Sequence, residues 1–169
     1  MKRTEKTYRV ALSSMLVALM LVLGFVESQL PVAPGIPGIK LGLSNGVLIF
    51  AVYMLGIPSA YLLMVLKVVL SGLLFGGVNA MMYSFAGGLV SMTLMCLLSR
   101  VPGVHPIVVS MVGGVAHNAG QVALAMVLLG TPKLWYYLAV LMAVGLGTGA
   151  LTGIAANSVM RHMKQIKIR

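Results

Sequence analysis

Seven residues carry what polar chemistry this chain can do: Glu27, Lys40, Asn45, Lys67, His117, Asn118 and Gln121. Glu27 is one of only two acidic residues, and there is no aspartate. It lies in the stretch Gly24 to Gly46, GFVESQLPVAPGIPGIKLGLSNG, together with Lys40, Asn45 and the prolines Pro31, Pro34 and Pro37. An acid, a base and an amide meet where two apolar segments join. Ionisable groups near hydrocarbon are expensive, so such a cluster reads as a ligand site. The plainer readings are a solvated interfacial carboxylate for Glu27, a loop cation for Lys40, and a helix cap for Asn45 or Ser44.

Lys67 stands midway in an apolar run, too central to snorkel easily to the surface. A pairing with Glu27 or with an anionic ligand suits it better, since a lone buried lysine sheds its proton. His117 and Gln121, in HNAGQ, are four residues apart and share a helix face, with Asn118 beside them. They make either interhelical hydrogen bonds or the polar wall of a pocket. Tyr83 and Ser84, ahead of Gly87 and Gly88, are weaker candidates of the same kind.

No metal or cofactor is expected, because a single histidine among amides is a poor ligand set. Without aspartate the chain cannot build the Asp-rich motifs that hold magnesium on a prenyl diphosphate. It has no P-loop and no Ser-His-acid set. The residues therefore predict binding rather than catalysis. The lone cysteine, Cys96, lies in an apolar run and supports no disulfide framework.

The elements that must position these residues are helices in a membrane. Of 169 residues 60% are hydrophobic and 8% charged, more apolar surface than a soluble domain of this size can bury. Runs such as Val65 to Leu74 do not alternate, which argues against a transmembrane barrel. The basic start followed by an apolar run reads as an uncleaved first helix, since no A-x-A site follows. Six spans are expected in a single all-α membrane domain, at about 8–25, 43–56, 58–76, 80–98, 106–129 and 134–160. Pro58 and Pro106 open the third and fifth. The second span is short, rising only about 21 Å against about 30 Å of hydrocarbon. The Pro/Gly-rich stretch before it is expected to dip into the membrane, which irregular backbone does only beside protein or a wet cavity.

The net charge of +10 does not indicate nucleic acid, because the basic residues gather at the termini and in short loops. With six spans, nine of them (Lys2, Arg3, Lys6, Arg9, Arg100, Arg161, Lys164, Lys167 and Arg169) fall on one side. Lys40 and Lys133 fall on the other, which puts both termini in the cytoplasm. Trp135, Tyr136 and Tyr137 then form an outer aromatic belt. Small residues such as Gly145, Gly149 and Gly153 suit close helix packing, and Ser14 and Ala18 suit a partner helix.

Five motifs together resemble one family: ES-x-x-P at Glu27–Pro31, PGIKLGLSN at Pro37–Asn45, LLFGG at Leu73–Gly77, SFAGG at Ser84–Gly88 and HNAGQ at His117–Gln121. The chain is similar to the Gx transporter family, also labelled heptaprenyl diphosphate synthase component I. The resemblance implies a bacterial cytoplasmic-membrane protein like the S components of energy-coupling-factor (ECF) transporters. Such components have six helices, capture a small molecule from outside and depend on a transmembrane coupling protein and ATPases. Ala11, Met15 and Ala18 stand where the resemblance implies a docking motif, and Lys67 where it implies arginine, keeping charge but not the bidentate fork.

The expectation is thus a lipid-embedded binding component that takes a polar or anionic molecule through the seven residues above. The alternative is a non-catalytic accessory subunit in isoprenoid or quinone metabolism, or in flavin-linked extracellular electron transfer.

Overall fold

The computed structural model describes residues 2–29, 40 and 42–167, and within these every side chain except those of 2–4, 132 and 164–167. The described residues are helical, without a strand: α1 (Lys2–Ser28), α2 (Asn45–Met54), α3 (Ile57–Ser71), α4 (Gly77–Leu98), α5 (Pro106–Leu129) and α6 (Trp135–Lys167). A π turn, Gly72–Gly76, joins α3 to α4, and a short 3₁₀ turn precedes α6. Four helical stretches are long and apolar enough to cross a membrane: Glu5–Ser28, Ile57–Leu98, Pro106–Leu129 and Trp135–Met163. Large apolar side chains stand exposed along all of them, as a lipid surround requires.

The run Ile57–Leu98 is not one straight rod. Tyr61 hydrogen-bonds Thr93 at 3.1 Å. A Cβ on Gly88 would meet the Met64 sulfur at 2.9 Å, and one on Gly72 would meet Met81 at 2.8 Å. Each pair is centred on Gly76–Gly77, so α3 and α4 are antiparallel arms. Gly77 has φ 72°, a conformation that side chains with a Cβ resist, and it turns the chain. The gap expected between the third and fourth spans is therefore no loop; the π turn and one glycine suffice.

The expected count of six spanning helices needs correction. The second segment is a helix of ten residues, rising about 15 Å, half the hydrocarbon thickness. It begins at mid-bundle: Gly46 packs on Thr152, midway along α6. Pro31, Pro34 and Pro37, the stretch expected to dip into the membrane, lie outside the described residues. Lys40 and Gly42, which follow it, lie at mid-depth beside Gln121 and His117.

Proline opens α3 and α5 at their first turns, and the His105 ring nitrogen accepts the Ile107 N–H to cap α5. Helices α4, α5 and α6 pack antiparallel in sequence. Helix α1 runs along α2 and α3, with Leu12 on α1 lining the same cleft as Met163 on α6. The first and last helices thus begin and end at one end of the bundle.

Candidate functional site

The polar residues gather around the start of α2. Midway along α5, His117 Nε2 lies 2.8 Å from Gln121 Nε2, the contact that their four-residue spacing allows. Gln121 Oε1 accepts the Lys40 backbone N–H at 3.2 Å. That bond fixes the amide: its nitrogen is the donor, so His117 Nε2 is the acceptor. The hydrogen-bond network therefore assigns a neutral ring that carries its proton on Nδ1. Nδ1 faces the backbone of Gly87 on α4 without closing a full hydrogen bond to it. Helix α5 can come this close because α4 presents glycine; a Cβ at Gly87 would lie 2.5 Å from the His117 carbonyl oxygen.

Glu27 reaches the same place from the end of α1. Its Oε1 accepts the Leu43 N–H in the turn that leads into α2. A carboxylate borrowed from another helix thus meets the electropositive start of the half-helix. Neither Ser44 nor Asn45 serves as the side-chain cap expected from their position. Ser44 sits in the helical region (φ −64°, ψ −14°) and makes no capping bond, while the turn closes its own N–H groups onto Gly42, Leu43 and Ser44 carbonyls.

Lys67 on α3 is 2% exposed and Lys40 is 4% exposed. The expected direct Lys67–Glu27 pair is not formed: among the described residues no ammonium lies within 4.0 Å of the carboxylate. Instead Lys40 Nζ lies 5.2 Å from the centroid of the Phe75 ring, a cation–π contact. Phe75 projects from the π turn and meets Phe25 edge-on at 5.6 Å.

Glu27, Lys40, Asn45, Lys67, His117 and Gln121 are therefore brought to one level of the bundle, all buried. Asn118 is buried too but turns to α6, where its Nδ2 donates to the Leu141 carbonyl at 2.6 Å. That bond joins helices, while Asn118 Oδ1 is buried without a hydrogen-bond partner among the described residues. Ser84 is buried with an unpartnered hydroxyl, whereas Tyr83 packs in an apolar cluster with Val122 and Leu141. Phe75 was not among the candidates, because an aromatic in an apolar run carries no polar signal until the fold sets it over a lysine.

Unpartnered polar atoms mark the site. Glu27 Oε2, Lys40 Nζ, Ser44 Oγ, both amide atoms of Asn45, Ser84 Oγ, His117 Nδ1 and Asn118 Oδ1 are buried with no hydrogen-bond partner among the described residues. Each such group costs about 1–3 kcal/mol when left unsatisfied. Clefts of about 510 Å³ and 490 Å³ lie on either side of α1, against α3 and against α2 and α6, the second reaching Leu43 and Gly46 beside the site. No group of three or more His, Cys, Asp or Glu that could hold a metal occurs among the described residues.

No curated protein and no solved structure matches this chain. The family model described as heptaprenyl diphosphate synthase component I matches residues 16–159, a span that holds every residue of the site, and the chain belongs to that family.

Proposed function

We propose that this protein is a membrane-embedded binding component that captures a small polar or anionic molecule at mid-bundle. One observation carries the reading: four separate segments deliver a carboxylate, two ammonium groups and an imidazole to one level of an otherwise apolar bundle, with polar atoms there left unpartnered. In this reading Lys40, Lys67 and His117 meet acceptor groups of the ligand. Glu27 holds the turn before α2 and balances charge, while Asn45 and Gln121 fix orientation. The basic residues gathered near both termini support a cytoplasmic position for that end, and in this reading the ligand enters from the outer face. The chain carries no nucleotide-binding motif, so turnover depends on separate energising subunits of the ECF kind. The exposed α1 residues Ser14 and Ala18 are where such a subunit docks.

A second reading, an accessory subunit of a prenyl diphosphate synthase, rests on the family description. Copurification separates the two. ATPase and coupling subunits support transport, and a soluble prenyltransferase supports the accessory role. Native mass spectrometry of protein extracted gently from its own membrane tests the binding role directly. A retained small molecule, lost in Glu27→Gln and Lys67→Met, is the expected result. An empty protein together with unchanged phenotypes of both variants ends the proposal.

A further inference from the structure

We infer that the mid-bundle site takes a small molecule with a single negative charge and an uncharged O–H or N–H donor, and turns away diphosphates and other polyanions. This rests on the binding role proposed above and narrows it.

Charge comes first. The buried ionisable side chains among the described residues are Glu27, Lys40, Lys67, His117, Cys96 and Tyr83, the last a neutral phenol in an apolar cluster. His117 is neutral, because its Nε2 accepts from Gln121. Cys96 lies in the apolar cluster with Met92, Met95 and Val109, apart from the site. Two ammonium groups therefore stand against one carboxylate. A lone positive charge in this medium costs far more than in water, and it is relieved by losing a proton or by gaining one anion. One negative charge completes the set. A diphosphate brings more than one and leaves a surplus of the opposite sign. Magnesium would offset that surplus, but it needs carboxylate oxygens. The site offers it a single carboxylate oxygen, Glu27 Oε2, because Oε1 takes the Leu43 N–H.

The unpartnered atoms sort the same way. Lys40 Nζ, His117 Nδ1–H and Asn45 Nδ2 are donors, while the Ser44 and Ser84 hydroxyls give or take. They suit the several lone pairs of one carboxylate-like group. Glu27 Oε2 and Asn45 Oδ1 are left as acceptors. An O–H or neutral N–H on the ligand satisfies them. A ligand ammonium would restore the positive surplus, so an uncharged donor fits better.

Small probes that any such site admits test this without knowledge of the natural ligand. The full chain in phosphatidylcholine nanodiscs is unfolded thermally, with ionic strength held by sodium sulfate, while formate, acetate, glycolate or pyrophosphate is titrated over the millimolar range. The three monoanions should raise the unfolding midpoint saturably, as ligands of the folded state do. Glycolate should act about tenfold more tightly than acetate, because it adds the hydroxyl donor. Pyrophosphate should leave the midpoint unchanged. Lys67→Met should lose the monoanion response and Lys67→Arg should keep it; if Lys67→Met does not fold, Lys40→Met takes its place. A pyrophosphate shift larger than that of glycolate, a full response in the methionine variant, or no response to any monoanion overturns the inference. Native mass spectrometry separates its failure from that of the binding role. A retained neutral or polyanionic compound refutes the charge rule and leaves binding intact, whereas no retained compound and no anion response remove both.

Discussion

Helices α4 to α6 and helix α1 are built on opposite principles. The α5–α6 contact has no slack: a Cβ on Gly149 would lie 2.7 Å from the Met111 Cα, and Gly114 and Gly145 set backbone against backbone. Glycines 87 and 120 do the same between α4 and α5, where Gly113 makes room for the Met95 side chain. Small residues allow this approach, and packing at such range is what holds helices together in lipid, where apolar surface gains nothing from leaving hydrocarbon. Helix α1 is mostly exposed, buries Leu16, Met20 and Glu27, and has clefts on both sides. The candidate site spans the two regions. His117 and Gln121 belong to the stiff block; Glu27 belongs to the loosely held helix.

The comparison breaks most readily at the glycines. Gly145→Leu forces a side chain into the α5 backbone and should cost about 3 kcal/mol or more, in the range that marks core overpacking. Loss of the monodisperse folded fraction on size exclusion is the expected readout; a variant that purifies and melts normally would mean that α5 and α6 have room to part.

Next in size is the bond that ties α1 to α2. Glu27→Ala removes the acceptor of the Leu43 N–H and should destabilise by about 2 kcal/mol, as charged hydrogen bonds do. Glu27→Gln keeps an acceptor without the charge and should lose roughly half as much. Thermal unfolding in nanodiscs checks both, and identical values for alanine and glutamine would remove the turn-holding role from this carboxylate.

Gln121→Leu probes the wall from the other side. It frees the Lys40 backbone N–H and the His117 ring together, with an expected cost of about 1–2 kcal/mol. Hydrogen exchange should speed up at Lys40 while the amides of α5 stay protected; uniform protection would show that the Lys40 segment is held by something else.

The smallest effect sharpens the contrast. Met15→Ala and Val22→Ala, both on the exposed face of α1, should change stability by less than about 0.5 kcal/mol. A loss of the size seen for a buried methionine would mean that this face is covered, and α1 would no longer be the loose element.

Much of this was legible in the residues themselves. The rarity of acids made Glu27 conspicuous, and the four-residue spacing of His117 and Gln121 gave their hydrogen bond. That the third and fourth spans part near Gly76 was legible; that a π turn and Gly77 alone reverse the chain was not, because such a turn leaves no polar gap in the hydropathy pattern. The role of Asn118 was undecided in sequence: one residue from His117 on a helix is about 100° around the axis, and the fold had to say which neighbour lay there.

By itself the sequence determined that this chain is helical, too apolar for water, and poor enough in charge that every buried ion has to be accounted for. Those are properties of composition and local periodicity, and they survive any arrangement of the helices. Only the tertiary structure decided that α2 starts in the middle of the bundle, that Glu27 serves its first turn, and that Lys40 lies by Phe75 rather than bonded to Glu27. These contacts join residues from separate segments of the chain. Their partners are chosen by how closely the glycine-faced helices approach, a distance that no local pattern encodes.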